Sequence, residues 1–98
     1  MFVAKVIGNV WATRKHKHLN GFKLLIVKPL DTASDKLVGE STMAVDANIG
    51  AGPGDTVLII DEGGSARKIL GDSKSPVRTA VAGIIDSANL NGKEKKYA

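Results

Sequence analysis

Apolar residues in this chain fall in short runs separated by glycine-rich or charged stretches, a spacing that fits strands better than helices of ordinary length. The first run, Phe2–Val10 (FVAKVIGNV), places Phe2, Ala4 and Val6 on one face and Val3 and Ile7 on the other, with Gly8 marking a bulge or sharp bend. Residues 22–27 (FKLLIV) predict a second strand, which should stop before Pro29 because proline has no N–H for the ladder. A weaker third strand is expected over 38–45, with Val38, Met43 and Val45 as its apolar positions. Residues 56–60 (TVLII), bounded by glycine-rich turns, read as a central strand covered on both sides. Residues 81–85 (VAGII) complete the set.

Between the last two strands, 65–70 follows a glycine pair and precedes Gly71, so a serine cap and a glycine stop enclose one or two helical turns. A second brief turn is expected at Pro76. Five strands with one short helix predict an all-β fold, a small OB-like barrel (oligonucleotide-binding type) over 1–86, since closure removes the exposed edges of so short a sheet. Residues 87–98 (SANLNGKEKKYA) read as a polar tail that orders only if something docks it. No fixed-period repeat interrupts this single unit.

Composition narrows the function. At 98 residues the chain holds one core, and 43% hydrophobic residues suffice to build it. The absence of cysteine excludes disulfides, thiolate metal sites and a cysteine nucleophile. The opening MFVAKVIGNVW lacks a secretory or membrane-spanning pattern, so a soluble cytoplasmic chain without a membrane partner is expected. A net charge of +4 and a pI near 9.5 make nucleic acid the first partner to weigh.

The candidate chemistry is thin. The loop Gly50-Ala51-Gly52-Pro53-Gly54 has the composition of a phosphate cradle, but a strand follows it where such a cradle needs a helix N-terminus. A tight turn, or a close approach to another subunit, explains its glycines better. The basic stretch 14–18 (RKHKH) lies after strand one, where an oligonucleotide-binding barrel places a binding loop. Single-strand binders also need aromatic platforms, and Phe2, Trp11, Phe22 and Tyr97 are the whole supply, two of them at core positions. His16 and His18 have no third metal ligand nearby in sequence. Asp46, Asp55, Asp61, Glu62 and Asp86 sit at strand ends and turns, where carboxylates cap amides or face water. No catalytic spacing stands out, and neither enzyme activity nor a cofactor is expected.

Four segments carry a resemblance. Gly8-Asn9-Val10-Trp11-Ala12-Thr13-Arg14-Lys15 followed by Leu19-Asn20-Gly21-Phe22-Lys23-Leu24-Leu25 resembles the N-terminal signature of the bacterial microcompartment vertex proteins, which include the ethanolamine-utilisation and carboxysome pentamers. Ala44-Val45-Asp46 with Gly50-Ala51-Gly52 and Gly54-Asp55-Thr56-Val57-Leu58 is similar to that family's glycine-rich turn and fourth strand. Gly64-Ser65-Ala66-Arg67 and the closing segment Val81-Ala82-Gly83-Ile84-Ile85-Asp86 follow in the same order, so the likeness spans about residues 1–86. The resemblance implies a cyclic homopentamer that caps the fivefold vertices of a microcompartment shell in the bacterial cytoplasm, beside hexameric shell proteins and around encapsulated enzymes. It further implies that Gly50, Ala51 and Gly52 lie near the fivefold axis, and that Gly64, Ser65, Ala66 and Arg67 contact the hexameric tiles. The competing reading is a nucleic-acid-binding barrel; any such binding should be weak, salt-sensitive and non-specific.

Overall fold

The computed structural model describes residues 1–10, 22–62, 66, 68, 69 and 78–97. Its strands in chain order are β1 (Phe2–Val10), β2 (Lys23–Asp31), β3 (Lys36–Leu37), β4 (Thr42–Asp46), β5 (Thr56–Asp61), β6 (Thr79–Ile84), β7 (Ser87–Leu90) and β8 (Lys93–Lys96). Five of them close a ring, running from β1 through β5, β6, β4 and β2 back to β1. Each pairing is antiparallel except β4 with β6, which is parallel and meets at Val45 and Ala80. This is the expected barrel, and the short β3 is an appendage on β2.

Period-two alternation decides what fills it. Along β1, Ala4 and Val6 point inward while Lys5 and Ile7 face out. With them inside stand Leu25 and Val27 of β2, Ala44 of β4, Val57 and Ile59 of β5 and Val81 of β6, all buried. Aliphatic side chains from every wall therefore occupy the lumen, branched ones from all but β4. A second cluster forms on the other side of the wall, where helical Ala66 covers Val45 and Ala80 beside Phe22, Leu24 and Ala47.

Gly8 lies where expected: the β1–β2 register slips between Val6 and Gly8, leaving Ile7 as the bulged residue. A second slip between Leu58 and Ile59 leaves Ala82 unpaired beside Gly83.

Four expectations are corrected. The strand β2 runs through Pro29 to Asp31. The Pro29 carbonyl accepts from the Val38 amide at 2.8 Å, so its nitrogen faces that same edge, beyond the end of β4, and the ladder to β1 loses nothing. The third strand does not begin at Val38. Gly39 turns the chain at φ 74°, and the barrel strand starts at Thr42. Both faces of β1 and of β5 were expected to be covered, yet their outward sides are incompletely so, with Ile7 47% exposed and Leu58 and Ile60 half-buried.

The fourth correction concerns 87–98. Where a polar tail ordered only by docking was expected, β7 and β8 form a hairpin around Asn91-Gly92, whose φ values of 53° and 79° are those of a type I′ turn. Its ladder runs one rung beyond Ser87 and Lys96, and an ion pair fastens it to the barrel. The Tyr97 amide donates to the Asp86 carbonyl at 2.7 Å, and Lys95 Nζ meets Asp35 Oδ2 at 2.9 Å. Asp35 is presented by a turn that Asp31 builds by accepting from the Ala33 amide and the Ser34 hydroxyl, both at 3.0 Å. Those bonds, the Ser34 hydroxyl foremost, hold the Asp31 carboxyl below its ordinary range. Asp31 thus contributes stability above its unfolded pKa, lost as pH falls through the depressed folded value.

The filled lumen gives a direct expectation. Replacing Leu25, 1% exposed, with alanine should cost about 2–5 kcal/mol in urea unfolding with little change in m; a loss below about 1 kcal/mol would mean that the barrel walls collapse onto the gap.

Candidate assembly site

The glycine-rich turn between β4 and β5 is built around one carboxylate. Asp46, the last residue of β4, is 1% exposed and points back into its own loop. Its Oδ1 accepts from the Ile49 amide at 2.7 Å, and its Oδ2 accepts from the amides of Gly50 at 3.0 Å and Ala51 at 2.8 Å. Lys23, the cross-strand partner of Asp46, donates from Nζ to the Ala51 carbonyl at 2.7 Å and stands 3.8 Å from Oδ2. One buried negative charge therefore gathers three N–H groups and an ammonium, the conditions under which a buried carboxylate is tolerated.

Past Ala51 the turn is fastened to β1. The Asp55 carboxylate accepts from the Gly52 amide at 2.9 Å, Gly54 donates to the Val6 carbonyl at 2.9 Å, and Val6 donates to the Asp55 carbonyl at 2.9 Å. Positive φ angles at Asn48 (69°), Gly50 (89°) and Gly54 (95°) explain why these positions are asparagine and glycine.

The three residues expected at a fivefold axis do not behave alike. Ala51 is fully buried and belongs to the protomer's own core. Gly50 and Gly52 lie outside it, and a Cβ added at either would meet nothing within 4 Å, leaving open space on the outward side. Of the second motif, Ala66 is buried under the wall and its amide donates to the Glu62 carbonyl at 2.9 Å; Gly64, Ser65 and Arg67 lie outside the described residues. So do Trp11, the 14–18 stretch with His16 and His18, and Pro76. Asp46 was readable from sequence only as a strand-end carboxylate; the signal for its larger role was the run of short-loop amides three to five residues downstream.

Among the described residues no group of three or more histidines, cysteines or carboxylates is placed to hold a metal ion. The outer wall carries another feature. Gly8, Ile26 and Met43 are neighbours in one row across β1, β2 and β4, with Met43 56% exposed and the bulged Ile7 alongside.

A turn pinned to two strands, an apolar row on the outer wall and a packed lumen describe a protein whose outer surface does the work. Residues 1–86 match the family model described as ethanolamine utilisation protein EutN/carboxysome. The chain belongs to the EutN/CcmL family. It is 41% identical over 88 residues to the bacterial microcompartment shell vertex protein GrpN of Rhodospirillum rubrum, covering 89% of this chain and 94% of that protein. The solved structure of that GrpN, a pentameric microcompartment shell protein, superposes with a TM-score of 0.78 at 39% identity, over 92% of this chain and 99% of the other. CcmL from Nostoc sp. PCC 7120 superposes with a TM-score of 0.86 at 36% identity over 96% of each chain. The EutN/CcmL likeness thus runs beyond 86 and takes in part of the C-terminal hairpin.

If Asp46 holds the turn, Asp46→Asn, which keeps the shape but loses the charge and turns an acceptor into a donor, should lower unfolding stability by about 2–3 kcal/mol. Asp61→Asn, at an exposed pair with Arg78, should change it by less than about 1 kcal/mol in the same urea titration. Equal effects of the two would contradict the central place given to Asp46.

Proposed function

We infer that the chain is a shell vertex protein of a bacterial microcompartment, a structural component that catalyses no reaction. The observation that carries this is the match along nearly the whole chain to proteins of that name, with the same barrel. Five copies form a ring that closes a fivefold corner of the polyhedral shell, in the bacterial cytoplasm, next to hexameric shell proteins and around enclosed enzymes. A cyclic ring uses a heterologous contact, so each protomer buries two different faces. The uncovered row of Ile26 and Met43 with Ile7 suits one of these. In this reading Gly50 and Gly52 border the axis, where their missing side chains let backbones approach. Ala51 serves by anchoring the turn inward. Arg67 reaches the neighbouring hexamers through its forked donors, with Ala66 as the buried foot of that segment.

Five copies at +4 each give a ring of +20, so nucleic acid would be attracted without being read.

The test is electron microscopy of shells assembled from hexameric shell proteins with and without this chain. Closed polyhedra are expected only with it, and Arg67→Ala should leave rings intact while shells lose their corners. Closed shells in its absence would contradict the vertex role; normal capping by the Arg67→Ala chain would remove the role given to that arginine.

A further inference from the structure

Between the C-terminal hairpin and the barrel wall lies a recess of about 270 Å³. Lys5 and Thr56 line it from the wall, Asp35 from the β2–β3 connection, Leu37 from β3, and Lys96 and Tyr97 from the hairpin. Its polar equipment is one-sided. The Tyr97 hydroxyl is buried and has no hydrogen-bond partner. Neither Lys5 nor Lys96 has a carboxylate within ion-pair distance among the described residues, and the acid in the lining, Asp35, is already taken by Lys95 at 2.9 Å. Lys28 stands directly across the strand pair from Lys5, an opposition of like charges that is unfavourable unless something negative lies nearby.

A buried donor without an acceptor costs stability, and a native structure seldom keeps one without a reason. Water could accept from the hydroxyl, but it would do nothing for the two lysines that line the recess from separate elements. We propose that this recess is a binding site for a small oxyanion, a phosphate or carboxylate group held by the ammonium groups of Lys5 and Lys96 and by the Tyr97 hydroxyl. Charge-assisted bonds from three donors are the recognition such a ligand needs. Because Lys96 and Tyr97 come from the hairpin and Lys5 from the barrel, an occupied site also fastens the hairpin.

The experiment is thermal unfolding of the full chain in rising sodium phosphate, and in parallel sodium acetate, at ionic strength held constant with sodium chloride. At least one anion should raise Tm saturably, as expected for a ligand that binds the folded state. Tyr97→Phe should weaken that response roughly tenfold while leaving the anion-free Tm unchanged or higher, because it removes an unpartnered buried hydroxyl. Lys5→Gln, an exposed change that leaves the core untouched, should weaken it at least as much, whereas Lys68→Gln, away from the recess, should not. A response no larger than that of chloride, or one undiminished in Lys5→Gln, would overturn the site. So would a response seen only when the protein is dissociated, since a neighbouring copy's carboxylate would then fill the recess. Oligomeric state, read on the same samples by light scattering, shows separately whether the ring itself fails.

Discussion

The Asp46 carboxylate is the interaction from which most of the architecture follows. It is buried at the end of β4, accepts from the amides of Ile49, Gly50 and Ala51, and faces the ammonium of its cross-strand partner Lys23. Without it the turn would leave three amide donors at the rim of the barrel unsatisfied. With it, Ala51 can enter the core while Gly50 and Gly52 stay outside. The far end of the turn extends the pairing of β1 through Val6, so the closing strands meet in a fixed register. The parallel contact of β4 with β6, a single residue pair, lies one position from Asp46 and is further held by Ala66 on its outer side.

The consequence is a separation of inside from outside. Among the described residues, aliphatic side chains from all five barrel strands pack the lumen. What remains available lies on the surface: glycines without neighbours, an apolar row on β1, β2 and β4, and a cationic recess under the hairpin. A shell corner needs a small, stiff unit whose several faces meet different partners, and this barrel supplies one.

Much of this was legible in the sequence because its signals are local. Alternation separated the two faces of β1, Gly8 marked the bulge, and the glycine-rich turn stood out between two strands. The misses have physical causes. Pro29 is tolerated within β2 because its nitrogen points away from β1 and past the last pair with β4, which depends on where β4 ends. The C-terminal hairpin was hidden by a lysine-rich composition, although Asn91-Gly92 is the strongest short signal for such a turn. Asp46 looked like any strand-end carboxylate, since burial and the convergence of three amides are properties of the folded loop. Assembly surfaces have no periodicity at all, and it was the ordered resemblance along the chain, not the pattern of single residues, that pointed to them.

As a vertex protein, this barrel would meet copies of itself in a closed ring. Native mass spectrometry of the purified chain across a range of ionic strength measures that most directly. A discrete species near five times the 10.3 kDa chain mass should persist as salt rises, because an apolar contact is not screened. A monomer or dimer at every ionic strength would contradict it.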